Sequence, residues 1–344
     1  MKFIRKIRRI LFILIMAPAL VNAFHELPGQ SVPPDSTAEP DSSKDSGKFK
    51  PYLQIRGRGQ ARFECTGEER SFYVPRARLA LALEPIKNLL FEVESDYAGD
   101  NPRLLDLYVN YKMADYLRIF AGLSKKPLSA EENISCFDLP FIRRSRTNDE
   151  FGDIYSIGRD IGLMLYGDLE EWLPVKYWFG VFNGSDYERL GDDNRGKQIL
   201  LRLEPRIPKR LKVGLNYSRH TAAQTDRRHD YFGLDWTWKR PKYLISAEYQ
   251  QGRNDKYNVA RGAFVWADVK LFKKIWAGAR YEYFDKNAAK TGAEQQYTGW
   301  LYYEGRKKRK IRINVVYDEP LKGEPYWSIA SQFQVELKHK LSLE

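Results

Sequence analysis

From Leu53 onward the chain alternates apolar and polar side chains with a period of two. Leu53, Ile55, Gly57, Gly59, Ala61 and Phe63 fall on one side; Gln54, Arg56, Arg58, Gln60 and Arg62 fall on the other. At about 100° per residue a helix would scatter the three arginines around its axis, whereas a strand sets them in one row. The rhythm returns along the chain. Leu79, Leu81 and Leu83 oppose Arg78, Ala80 and Ala82, and Leu107, Val109 and Tyr111 oppose Tyr108, Asn110 and Lys112. Phe232, Leu234, Trp236 and Trp238 oppose Gly233, Asp235, Thr237 and Lys239, and Ile311, Ile313 and Val315 oppose Lys310, Arg312 and Asn314.

Sixteen such segments begin near residues 50, 71, 88, 104, 116, 160, 174, 197, 211, 230, 243, 259, 275, 295, 309 and 328. The links between them alternate in length. Short ones hold Glu84-Pro85, Lys112–Ala114, Leu173-Pro174, Pro205–Pro208, Arg240-Pro241, Lys273-Lys274 and Arg306–Lys308. Long polar ones cover 64–70, 97–103, 126–159, 184–196, 219–229, 251–257, 285–294 and 318–326. Short turns on one side and long loops on the other predict an all-β fold: a transmembrane antiparallel β-barrel of about 16 strands, with short periplasmic turns and long extracellular loops. Closure removes the edges that so many apolar faces would leave adhesive. A soluble β-sandwich is the alternative, but it fits poorly with outward rows that are apolar and end in aromatics. Trp172, Trp238, Tyr243 and Trp276 lie next to short turns, and Tyr97, Tyr283 and Tyr317 next to long loops, as two interfacial girdles would require.

Composition narrows the class. A mean hydropathy of −0.58 excludes a polytopic helical membrane protein but is compatible with strands in which every second residue is polar. Two cysteines exclude a zinc-cluster or disulfide scaffold. Met1–Ala23 reads as a secretory signal: a cationic start, the apolar run Ile10–Met16 and the small-x-small stretch Val21-Asn22-Ala23. Residues 24–48, rich in Pro, Ser and Asp, read as a disordered periplasmic linker. Residues 49–344 then form the barrel. Export places it in the bacterial outer membrane, against lipid. The formal charge of +12 falls to +7 once the five cations of the signal are set aside, and nothing in its distribution calls for nucleic acid.

From Arg76-Ala77-Arg78-Leu79 the chain resembles a known family. Gly122-Leu123-Ser124-Lys125-Lys126-Pro127, Gly158-Arg159-Asp160-Ile161-Gly162 and Gly180-Val181-Phe182-Asn183-Gly184 continue the likeness in order. Together they look like the phosphate-selective porin O/P family, over about residues 71–344. The resemblance implies a sixteen-stranded porin, commonly a homotrimer, passing anions past a constriction made partly by the third long loop, here 126–159. Arg144, within Phe141-Ile142-Arg143-Arg144-Ser145, stands where that family usually carries arginine.

The chemistry suits an anion path. Fixed cations replace part of the hydration that an entering anion loses, and the guanidinium fork meets phosphate or carboxylate at two points. Arg56, Arg58, Arg62, Arg76 and Arg78 fall on the inward row of the first two strands, joined by Arg118 and by Arg143, Arg144 and Arg146 on the inserted loop. Lys125 is an expected member, although strict alternation from Arg118 turns it outward. The expected function is passive diffusion of small hydrophilic solutes, with a preference for anions and phosphate among the candidates. Two alternatives stand beside it: Glu92, Glu94, Asp96 and Asp106 could simply neutralise the arginines, and the barrel could be a non-conducting structural or adhesive one. No enzyme is expected, since Ser218 near His220 is the only Ser–His pair and both point inward. No cofactor is expected either: His25, His220, His229 and His339 lack metal-ligand spacing. Cys65 and Cys136, placed in the first and third long loops, are candidates for a disulfide, with two free thiols as the alternative.

Overall fold

The computed structural model describes residues 49–343, apart from 171–172, 186–189, 193–195, 208–209, 223–226, 255–258, 289–291 and 306–308. The signal and linker segments therefore lie outside the described residues, as do Trp172, Lys307 and Lys308. The body is a closed barrel of sixteen strands in which each pairs antiparallel with its neighbours in sequence, and the first pairs with the last. The strands are β1 (Tyr52–Thr66), β2 (Glu69–Ile86), β3 (Leu89–Asp96), β4 (Arg103–Lys112), β5 (Arg118–Lys125), β6 (Arg159–Asp168), β7 (Val175–Phe182) and β8 (Gln198–Pro205). They continue as β9 (Leu211–Ala222), β10 (Arg227–Arg240), β11 (Tyr243–Asn254), β12 (Val259–Lys270), β13 (Ile275–Asp285), β14 (Glu294–Glu304), β15 (Lys310–Glu319) and β16 (Tyr326–Ser342). Every strand begins within three residues of the position that the alternation predicts. Two short helices, α1 (Ala130–Asn133) and α2 (Arg146–Tyr155), interrupt the segment between β5 and β6.

The distribution of side chains is inverted relative to a water-soluble protein. Leu163 on the outer face is 61% exposed, whereas the inward Asp96, Gln198 and Arg312 have no exposed surface. Leu79, Leu107, Ile199, Leu234, Ile311 and Phe333 continue the outer apolar face. Such a surface is stable only where lipid replaces water.

Four local features depart from what the sequence predicts or from a regular ladder. The first link is a two-residue turn at Gly67-Glu68 rather than a long loop, because β1 and β2 run on as a ladder to Thr66 and Glu69. Pro75, which lacks an N–H, sits in a bulge of that ladder where the register shifts between Gln60 and Arg62. On β5, Gly122 has a φ of +133°, and a β-carbon there would lie 2.2 Å from the carbonyl oxygen of Leu107. Only glycine fits, and past this break Lys125 reaches a partner inside the barrel. Trp276, expected in a girdle, instead shares the inward row with Gly278 and Arg280 and stacks on Tyr302 at 6.1 Å. Trp238 and Tyr243 do meet on the outer face, with their rings 5.3 Å apart.

Candidate functional site: the lumen and its inserted loop

Residues 126–158 fold onto inward-facing residues of the wall, and each contact has a physical reason. The Phe137 carbonyl accepts hydrogen bonds from Arg312 Nη2 at 2.8 Å and Gln334 Nε2 at 2.7 Å, which ties the loop to β15 and β16. Phe141 enters an aromatic box, 5.6 Å from Trp266 and 5.2 Å from Trp300, with the Arg280 guanidinium 4.3 Å above its ring. The same guanidinium donates to the carbonyls of Arg143 and Arg144 at 3.1 and 3.2 Å, and pairs with Glu282 at 2.6 Å and Glu131 at 3.3 Å. Ser145 caps α2, its Oγ accepting from the Asn148 N–H at 3.1 Å, and is itself held by the Glu131 carboxylate at 2.5 Å. At the far end, buried Lys126 donates to Ser156, Asp160 and Gln198 at 2.8, 3.2 and 2.6 Å. Inward glycines make seats for the helix: Thr147 packs over Gly262, and Tyr155 over Gly252.

Most of the expected cations are paired. Arg56 meets Glu92 at 2.8 Å and Glu94 at 3.2 Å, and Arg78 meets Asp96 at 2.9 Å. Arg58 bonds Glu336 at 2.7 Å, with its guanidinium 5.2 Å from the Phe137 ring. Arg143 crosses to Glu64 on β1 at 2.7 Å, and Arg146 reaches Asp318 at 2.6 Å and also Glu294. Arg144 and Lys125 share Glu132, at 2.7 and 3.1 Å. Burial pushes the Glu132 carboxyl up, but Arg144, Lys125 and Arg159 outweigh it and hold the group at about 2. Asp149 on α2 is pushed up to about 7 by desolvation and by Glu131 and Glu132. Arg143 and Arg146 are raised by their carboxylate partners, against the cost of burial.

Three of the expected cations have no carboxylate within ion-pair distance among the described residues. Arg62 donates to the Gln332 amide oxygen at 3.0 and 2.9 Å and to the Tyr73 hydroxyl at 3.0 Å. Arg76 donates to the Gln60 amide oxygen at 3.1 Å, and Arg118 lies 5.7 Å from the Tyr166 ring. Closure gives two of these a wider setting. One inward row runs Arg76, Gln60, Gln334, Lys310, and the next runs Arg62, Gln332, Arg312. Four cations on β2, β1 and β15 are thus spaced by glutamines, which leave their charge in place.

Of the two readings of Cys65 and Cys136, the structure has the free thiols rather than the disulfide. Cys65 is not in a loop but on β1, in register with the outward Ile329, whereas Cys136 is buried in the lumen loop, and its carbonyl accepts from Arg312. The sheet itself separates them. Burial pushes the Cys136 thiol up, but Arg76, Arg78, Arg144 and Lys125 bring it below its ordinary value. His220 and His229 face each other across β9 and β10 with rings 5.1 Å apart, and no group of three metal-ligating side chains occurs among the described residues.

Several side chains that build this site were not singled out from sequence: Lys126, Arg159, Arg202, Arg280, Lys310 and Arg312. Arg280, Lys310 and Arg312 were visible as inward by alternation. What was missing was their neighbours, since only ring closure brings β15 to within one strand of β1.

A family model for phosphate-selective porin O and P matches residues 57–299, well over half of the chain. The chain belongs to that family. Solved structures agree on the fold. An anion-selective porin from Comamonas acidovorans superposes with a TM-score of 0.65 at 12% identity, covering 84% of this chain and 100% of the other. OmpF of Salmonella typhi, in complex with daunomycin, gives 0.64 at 11% identity, with 83% and 97% covered. The trimer form of OmpT of Vibrio cholerae, folded in vitro, gives 0.59 at 12% identity, with 83% and 100% covered. No curated protein matches in sequence. The protein is therefore an outer-membrane porin, with a fold typical of non-enzymatic channel proteins.

Proposed function

We propose that this porin passes small anions in preference to cations, with phosphate among them. The observation that carries the reading is the stretch of wall at Arg62, Arg76, Lys310 and Arg312, where no cation has a carboxylate within ion-pair distance among the described residues, Glu304 facing Lys310 across the β14–β15 ladder without pairing. An arginine paired with a carboxylate contributes a local dipole, whereas one bonded to a glutamine keeps its full charge. Arg76 is the half-buried member, placed to meet a solute, while Arg312 and Lys310 are buried behind the loop and add to the field from there. Several moderate cationic sites favour passage over trapping. The guanidinium fork suits phosphate because it offers two parallel donors.

In a KCl gradient across a planar bilayer, the parent channel is expected to give a reversal potential of anion-selective sign. Replacing both Arg62 and Arg76 by Gln should move that potential towards zero. A cation-selective parent, or an unchanged potential in the double variant, would overturn the reading. A homotrimer is proposed from family membership, and native mass spectrometry of the detergent-extracted protein tests it.

A further inference from the structure

The wall of β5–β8, towards the short-turn mouth, carries an inward row of a different kind. The register sets Arg118, Tyr166, Trp178 and Arg202 side by side on consecutive strands. Tyr166 and Trp178 are half-buried aromatics on the lumen side of the wall. They are not lipid anchors, since the outer face at this height is held by Leu165 and Phe179, each 43% exposed. Each ring has a guanidinium beside it: Arg118 lies 5.7 Å from the Tyr166 centroid, and Arg202 5.9 Å from that of Trp178.

The two cations differ in what they can still bind. Arg202 is spent on Asp235 and Glu204, both at 2.7 Å. Arg118 has no carboxylate within ion-pair distance among the described residues, and it opens into a small cleft shared with Asn110, Lys112 and Glu84. Glu84 accepts from the Asn88 N–H at 3.0 Å, and Lys112 pairs with Asp115 at 2.5 Å. Asn110 donates to the Tyr166 hydroxyl at 2.6 Å and fixes the ring. One guanidinium without a carboxylate at ion-pair distance therefore stands beside two adjoining half-buried aromatic rings.

We infer that this row is a binding station for flat organic anions, aryl carboxylates in particular; the inference deepens the anion reading above and rests on it. The carboxylate meets the Arg118 fork, and the ring lies on Tyr166 and Trp178, where stacking and loss of apolar surface to water both favour it. An aliphatic acid of equal charge, or inorganic phosphate, uses the guanidinium alone.

Block of single-channel KCl current by benzoate and by acetate tests this. In the parent, benzoate should reach half-block at a concentration at least fivefold below acetate. Trp178→Ala should close that gap by weakening benzoate alone, and Trp178→Phe should keep it. Arg118→Gln should weaken both. Equal block by the two acids in the parent overturns the inference, whether or not the variants assemble, and so does a gap that survives Trp178→Ala. A cation-selective reversal potential with the gap intact overturns the anion reading and leaves the station. Anion selectivity without a gap does the reverse.

Discussion

Tyr155 stands directly over Gly252: a β-carbon on that glycine would lie 1.9 Å from Cζ of the tyrosine ring. The wall strand β11 gives up a side chain so that the end of α2 can dock. Gly252→Ala should therefore unseat the loop's second helix and destabilise the folded barrel by roughly 1–3 kcal/mol, the usual range for overpacking. Gly57→Ala, where nothing lies within 4 Å, is the control. Thermal unfolding in detergent, read as loss of the compact band on a semi-native gel, should separate the two, and equal melting would show that the loop is not held there.

Arg58 and Glu336 form a neutral pair at 2.7 Å. Losing Arg58 alone removes one positive charge and leaves the Glu336 carboxylate in the lumen, so Arg58→Gln should shift the reversal potential towards cations. Arg58→Gln combined with Glu336→Gln should restore most of the parent value. If the double variant behaved like the single one, the shift would come from the loss of Arg58 itself rather than from the carboxylate left behind.

Asp149 is held near neutrality, at about 7. Its carboxyl is ionised above that pH and neutral below it, so acidification from pH 8 to pH 6 removes one negative charge from the loop. Anion preference should accordingly rise as the pH falls through this window. Asp149→Asn should show the low-pH value throughout and a flatter profile. A profile equally steep in the variant would assign the titration to another group.

Cys65 and Cys136 lie on opposite sides of the sheet, so the unreduced protein should carry two titratable thiols per chain after denaturation, and its gel mobility should not respond to reductant. A thiol count near zero would mean that the loop is placed otherwise.

Much of the architecture was legible because the period of two is a local property. β9, β11, β12 and β13 begin at the residues that the alternation predicts. The misses have non-local causes. The turn at Gly67-Glu68 looked like a long polar loop because Glu64, Glu68, Glu69 and Arg70 are charged, yet beyond the membrane a ladder can continue with any side chains. Lys125 turned inward because Gly122 breaks the alternation with a backbone angle that composition does not reveal. The cations themselves were found, but not which of them would be neutralised, since that depends on register between strands far apart in sequence. Arg58 meets a carboxylate 278 residues away, and Arg62 an amide 270 residues away.

The ladder between β1 and β16, running from Tyr52 with Ser342 to Thr66 with Ser328, has a consequence for biogenesis. The hydrogen bonds that seal the cylinder join the earliest part of the body to the latest, the most distant contact order the chain can have. A body lacking its final strand carries two raw edges, which stay open until β16, Tyr326–Ser342, is in place. Sealing is thus a single late event, and a change that weakens either terminal strand endangers the whole cylinder rather than one corner of it.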